Sequence, residues 1–110
     1  MQDELEFRRA AEAAIAALKQ ALIRAEDQAD FETEEQNGVL TVVFDEPPAK
    51  FVITPNSPVR QIWISALSTS FKLNWDAAAA TFVLPKTGEP LPALVARLIN
   101  EHLGASSVTL

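Results

Sequence analysis

Carboxylates are the only chemically versatile side chains that this sequence carries in number. Its 110 residues include fifteen Asp and Glu, no Cys and a single His, His102. Without Cys there can be no disulfide, thiol catalysis, thiolate zinc site or protein-ligated iron–sulfur cluster, and one His cannot build a multi-histidine metal site. The sequence also lacks a nucleophile–base pair and a Gly-rich phosphate loop, so it does not indicate an enzyme.

The acids are concentrated in the first part of the chain. Residues 1–46 contain twelve acids and four bases, a balance of −8, whereas residues 47–110 contain three acids and five bases, a balance of +2. Such a one-sided negative charge attracts cations or a basic partner. A solvated helix face that only keeps the protein soluble would give the same charge pattern in the sequence. With a net charge of −6 and a pI near 4.6, non-specific nucleic-acid binding is not expected.

Five of these acids form a candidate cation site, which we call the acidic ridge. A period of two places its two strand carboxylates on one face of a β-strand, with Glu35 on the other face. Oxygen-only surface sites suit hard or borderline cations that retain water. The ridge consists of Glu26, Asp27, Asp30, Glu32 and Glu34.

Trp63 marks a second candidate surface. Ile62 and Ile64 alternate with Gln61 and Trp63, so the indole faces outward if the isoleucines face the core. An exposed Trp beside Arg60 and Gln61 has the composition of an interface hot spot, although neighbouring side chains could half-bury it.

Periodicity and turn signals predict two helices at the ends of the chain and six strands between them. Apolar spacing predicts a helix over 3–26 and another over 90–103, and Asn37-Gly38 is a strong hairpin signal. Ala77 to Ala80 is too short to nucleate a helix and is expected to be a turn. The predicted strands span 31–36, 39–44, 50–54, 60–66, 71–75 and 81–84.

This order predicts an α+β fold, a two-layer sandwich in which both helices pack on one face of a single antiparallel sheet of about six strands. We expect one domain over 1–110, with a short tail at 105–110 whose Val108 and Leu110 pack against the helices. No apolar run is long enough to span a membrane and no secretory signal is visible, so a soluble cytoplasmic protein is expected.

From about Phe7 to Gly104 the sequence resembles the frataxin family in its bacterial form. The resemblance is strongest in Asn37-Gly38-Val39-Leu40-Thr41-Val42-Val43-Phe44 and in Pro58-Val59-Arg60-Gln61-Ile62-Trp63-Ile64-Ser65. It implies an iron-binding accessory of iron–sulfur cluster assembly that takes Fe2+ and Fe3+ weakly on the acidic ridge and docks on the cysteine desulfurase and scaffold. It also implies a partner-binding set made of Asn56, Arg60, Gln61 and Trp63, a monomer when iron-free, possible iron-dependent oligomers and, in some members, ferroxidase activity.

The sequence departs from the family where more acids are usual. Lys19, Gln20 and Arg24 stand at those positions, and Gln28 interrupts the later acids, which should lower the affinity for iron. Two alternatives remain open: a regulator that docks without physiological iron, and an acidic chaperone for secreted effectors, which would be a dimer.

Overall fold

The chain folds as a helix, six strands and a second helix. The computed structural model describes residues 3–104 and 108–110. Helix α1 spans Glu4–Ala25 and helix α2 spans Leu91–Leu103. The strands are β1 (Glu32–Gln36), β2 (Val39–Asp45), β3 (Pro48–Asn56), β4 (Gln61–Ala66), β5 (Thr69–Asp76) and β6 (Thr81–Val83).

The six strands form one sheet in sequential order, and each neighbouring pair is antiparallel. Both helices contribute their buried stripes to a single core shared with one face of this sheet. The predicted α+β sandwich is therefore confirmed. Among the residues that the structure describes, no helix is both long and apolar enough to cross a membrane.

Helix α1 begins directly after a capping residue, Asp3. The Asp3 side chain accepts a hydrogen bond of 2.8 Å from the backbone N–H of Glu6, and this bond lowers the pKa of the Asp3 carboxyl. The buried stripe then follows helical spacing, through Phe7, Ala11, Ile15, Leu18, Leu22 and Ala25.

Alternation along the strands separates the two faces of the sheet. Ile62, Ile64 and Leu73 lie in the core, while Trp63 and Lys72 point to the side away from the helices. We call this second side the open face. Its polar and charged members include Glu32, Glu34, Lys50, Thr54, Asn56, Gln61, Ser65, Lys72 and Asn74.

Strand β3 is longer than the sequence indicated. It begins at Pro48 and continues through Pro55 and Asn56, which were expected to lie in loops. Pro48 is the first residue of the strand, and Pro55 lies beyond Ile53, the last β3 residue that pairs with β2. Each proline thus has a paired strand on one side only. Because proline lacks a backbone N–H, a sheet tolerates it at such positions.

The other differences lie at the ends of elements. Strand β5 begins at Thr69 instead of Phe71, while Arg60 stays outside β4 because its backbone is left-handed, with φ of 52°. The expected turn at Ala77 to Ala80 is confirmed. In the tail, Val108 is buried and Leu110 packs against the core as expected, whereas residues 105–107 lie outside the described residues.

Candidate functional site

The acidic ridge lies along the connection from α1 to β1 and continues onto the open face. Glu26 caps the C-terminal end of α1 and is half-buried, and Asp27 and Asp30 are exposed in the connection. Glu32 and Glu34 are exposed and share the open face of the edge strand β1, as the period of two predicted. The five carboxylates thus follow one another along the surface, and only the last two share a strand face.

Glu26 already has a partner within the protein. Its Oε2 accepts a hydrogen bond of 3.0 Å from the backbone N–H of Thr33. This bond fastens the end of α1 to β1 and uses part of the acceptor capacity of the carboxylate. Sequence spacing did not reveal this contact, because it joins residues seven positions apart across an irregular connection.

Lys19 pairs with a carboxylate that does not belong to the ridge. Its Nζ lies 2.8 Å from Oε1 of Glu35, whose side chain is on the face of β1 opposite to that of Glu32 and Glu34. The expectation that Lys19 lowers the affinity of the ridge for iron remains a prediction. The contact shows that its ammonium group is engaged elsewhere.

The ridge is not a preformed chelate. Within residues 3–104 and 108–110, no group of three or more His, Asp or Glu side chains is arranged to hold a metal ion. Cations could bind to such separated carboxylates only through one or two protein oxygens, with water completing the coordination sphere.

Trp63 faces outward and is half-buried. Its neighbours Ile62 and Ile64 are 0% and 1% exposed on the core side, while the indole lies between Thr54 of β3 and Lys72 of β5. The expected outward direction is therefore correct. The ring is only partly exposed, because side chains of the two adjacent strands lie on either side of it.

Hydrogen bonds fix the indole on the open face. The Trp63 Nε1–H donates to Oε1 of Gln61 at 2.8 Å, and Nε2 of Gln61 donates to Oδ1 of Asn74 at 2.8 Å. The Nζ of Lys72 lies 4.9 Å from the centroid of the Trp63 ring, which is within cation–π distance. These contacts give Trp63 a fixed orientation before any partner arrives.

Sequence reasoning missed Lys72 and Asn74. The signal was available in the hairpin: the register places Trp63 opposite Lys72 and Gln61 opposite Asn74. Predicting it required the two-residue turn at Leu67 and Ser68, both with positive φ, which carries no Gly or Asn.

Asn56 and Arg60 flank the loop between β3 and β4. Asn56 ends β3, pairs with Gln61 and is half-buried, so it belongs to the open face and not to the loop. Arg60 follows the 3₁₀ turn at Ser57–Val59 and is also half-buried. Of the four expected partner-binding residues, three therefore share the open face and the fourth adjoins it.

The open face carries charges of both signs. Glu32 and Glu34 lie on β1, whereas Lys50 and Lys72 lie on β3 and β5. Glu34 is three strands away from β4 and in line with Ser65, two residues from Trp63, so the two residues are about 16 Å apart at the usual strand spacing and rise. A partner that covers a standard interface of about 800 Å² could contact both.

These features describe a two-layer α+β sandwich whose distinctive chemistry lies on an exposed, charged sheet face. The family model described as a frataxin-like domain matches residues 1–105, and the chain belongs to this family. The resemblance read from the sequence is thereby confirmed.

The relatives agree with this assignment. The chain is 32% identical over 90 residues to the iron-sulfur cluster assembly protein CyaY of Pseudomonas entomophila L48, covering 80% of this chain and 81% of that protein. It is 34% identical to the protein of the same name from Pseudomonas aeruginosa PAO1, covering 80% and 82%. Both are named as assembly proteins and not as enzymes, in agreement with the non-enzymatic role expected from the sequence.

A solved structure supports the fold. Frataxin from Psychromonas ingrahamii superimposes with a TM-score of 0.75 at 18% sequence identity, covering 98% of this chain and 97% of that chain. The family assignment does not favour the alternative of an effector chaperone.

Proposed function

We propose that this protein takes part in iron–sulfur cluster assembly by docking, through its open face, on the cysteine desulfurase and scaffold of its host. The observation that carries the proposal is Trp63, an outward indole held by Gln61 and covered by Lys72. A pre-oriented aromatic residue loses little entropy on binding, which is why such residues dominate protein interfaces. The names of the relatives support the same pathway.

The acidic ridge has a double role in this proposal. Its exposed carboxylates attract a basic patch on the partner and bind ferrous or ferric iron weakly, as cargo for the assembly reaction. The protein acts in the bacterial cytoplasm and is a monomer when iron-free, with oligomers possible once iron is bound.

The docking half is tested with Trp63→Ala. Titration calorimetry against the purified desulfurase and scaffold of the same host should show at least a tenfold loss of affinity, because a hot-spot truncation costs about 2 kcal/mol or more. Trp75→Phe is the matched control, since Trp75 packs on the core side against Phe82 at a centroid distance of 5.2 Å. Equal affinity for wild type and Trp63→Ala would reject the open face as the docking surface.

The iron half is tested by NMR under anaerobic conditions. Adding Fe2+ should broaden the amide signals of Glu26, Asp27, Asp30, Glu32 and Glu34 before others. Double substitution of Glu32 and Glu34 by Gln should reduce the broadening, whereas the same change at Glu6 and Glu12, which are exposed on α1, should not. No localised effect at millimolar iron would remove iron from the proposal.

A second candidate is a docking protein without physiological iron. It is favoured by the lack of any group of three metal-holding side chains within the described part of the chain. Here the acidic ridge serves only to meet a basic surface, so docking would survive removal of iron by a chelator.

A further inference from the structure

The sheet ends in two edge strands, β1 and β6, which are covered to different extents. Beyond β6, Val83 forms an isolated bridge with Pro90, and the backbone N–H of Leu84 donates to the Glu89 carbonyl at 2.9 Å. The segment that leads into α2 therefore covers that edge. Among the residues that the structure describes, no strand pairs with β1 on its outer side. An edge of this kind can pair with a strand of another molecule unless the fold prevents it.

The register of the β1–β2 hairpin shows which backbone groups of β1 point to the free edge. Gln36 pairs with Val39 across a two-residue turn, and the residues that flank such a turn exchange both hydrogen bonds. Every second residue of β1 then bonds to β2, and the residues between them direct their N–H and C=O groups outward. Within β1 the outward residues are Thr33 and Glu35.

A side chain already occupies one of these two outward donors. The Thr33 N–H donates to Oε2 of Glu26 at 3.0 Å, which agrees with its outward direction. The N–H of Phe31, just before the strand, donates to the Ala29 carbonyl at 3.2 Å. In the described part of the chain, the N–H of Glu35 is thus the outward donor of β1 that still faces the free edge without a strand partner.

We infer that the Glu26 carboxylate keeps the free edge of β1 from pairing with the same edge of a second copy of this chain. In an antiparallel pair of two β1 strands centred on Glu34, the N–H groups of Thr33 and Glu35 of each copy would donate to the other copy. By accepting from Thr33 in each copy, Glu26 removes two of these four hydrogen bonds. The inference concerns the isolated chain and depends neither on docking nor on iron.

Like charges form a second barrier to the same pairing. In a pair centred on Glu34, this carboxylate would lie opposite its own counterpart, with Glu32 diagonal to it, and like charges at such positions are destabilising. Salt screens this repulsion but leaves the hydrogen bond from Thr33 to Glu26 in place. High salt therefore separates the two barriers, and the role of Glu26 is tested there.

Glu26→Ala frees the Thr33 N–H and should allow edge pairing. In about 1 M NaCl, where the screening length is about 3 Å, and with a chelator present, its weight-average mass should rise with protein concentration towards twice that of the 12.0 kDa monomer. Wild type and Glu26→Gln, which keeps an acceptor oxygen, should stay monomeric. Sedimentation equilibrium over a wide range of protein concentration measures all three.

Thr33→Pro is the matched control for loss of stability. It loses the same hydrogen bond as Glu26→Ala but has no N–H to offer to another strand, and an edge strand tolerates proline where the N–H points outward. Association caused by partial unfolding would appear in both variants, whereas edge pairing would appear in Glu26→Ala alone. Glu26→Ala combined with Thr33→Pro should be monomeric again.

Hydrogen exchange tests the contact itself. At low salt, where the charges keep the chains apart, the Thr33 amide of wild type should exchange about tenfold or more slowly than the Glu35 amide, although both point outward. Glu26→Ala should remove most of this difference.

Three results would overturn the inference. They are a Glu26→Ala variant that stays monomeric at high salt, equal association of Glu26→Ala and Thr33→Pro, and a wild-type Thr33 amide that exchanges as fast as that of Glu35.

Discussion

The carboxylate of Glu26 and the backbone N–H of Thr33 form a 3.0 Å hydrogen bond that ties the end of α1 to the edge strand β1. Because the bond is partly buried, replacing Glu26 by Ala leaves this N–H without its acceptor. We expect Glu26→Ala to lower the free energy of unfolding by about 1–2 kcal/mol. Glu26→Gln, which keeps an acceptor oxygen, should lose about half as much. Urea denaturation followed by circular dichroism measures both.

Asp27 is the matched control for Glu26. It is exposed at the C-terminal end of α1, where a negative charge is unfavourable to the helix dipole. Asp27→Ala should therefore be neutral or slightly stabilising. A loss as large as that of Glu26→Ala would show that the whole connection, and not the Thr33 bond, sets the stability.

The exposed pair Glu32 and Glu34 allows a test of charge on docking. Changing both to Lys alters the net charge by +4 and reverses the sign of the acidic edge. We expect weaker binding of the desulfurase and a shallower dependence of the dissociation constant on salt, since screened long-range attraction is lost. Calorimetry at several salt concentrations gives both quantities.

The control for that reversal keeps the same net charge. Glu6→Lys with Glu12→Lys also adds +4, but on exposed positions of α1. If both double variants weaken binding equally, net charge and not the acidic ridge controls the encounter.

His102 tests the packing between α2 and the β2–β3 hairpin. Its Nε2 lies 2.7 Å from the Pro47 carbonyl oxygen, and its ring centroid is 4.6 Å from that of Phe44. His102→Phe keeps the aromatic contact, and the exposed Pro47 carbonyl can turn to water, so its cost should stay below about 1 kcal/mol. His102→Ala loses ring packing too and should cost about 2 kcal/mol. Equal losses would assign the stabilisation to the hydrogen bond alone.

Much of this architecture could be predicted because it depends on periodicity. The stripe of α1 and the alternation of Ile62, Trp63 and Ile64 gave the buried face and the outward indole. His102 also packs against Phe44 and Trp75 against Phe82. In each case local spacing decides the outcome.

What could not be predicted depends on register and on single dihedral angles. Lys72 lies over Trp63 because the hairpin turns at Leu67 and Ser68, and this turn lacks the Gly or Asn that usually marks such turns. The left-handed backbone of Arg60 and the bond from Glu26 to Thr33 leave no periodic trace. The conformation of Arg60 and the hydrogen bond that engages the Glu26 carboxylate were therefore visible only in three dimensions.

The ion pair of Arg97 with Glu89 should make stability depend on pH. Arg97 donates to both carboxylate oxygens of Glu89, at 2.7 and 2.9 Å, and this contact, together with a hydrogen bond from Thr87, holds the pKa of Glu89 below its usual range. A lowered folded-state pKa contributes stability that is complete above the unfolded value of about 4.3 and is lost as the pH falls through the folded value. Arg97→Met should thus cost about 1 kcal/mol at pH 7, and the difference from wild type should shrink towards pH 3.

Arg8→Met provides the comparison for Arg97→Met. Arg8 and Glu4 form a pair of 3.3 Å whose side chains are 60% and 56% exposed, against 40% and 22% for Arg97 and Glu89. Such an exposed pair is screened by solvent, so its removal should change stability by less than about 0.5 kcal/mol at either pH. Urea denaturation at pH 7 and pH 3 measures all four values. A constant difference between wild type and Arg97→Met across this range would mean that the stabilisation by Arg97 does not depend on the charge of Glu89.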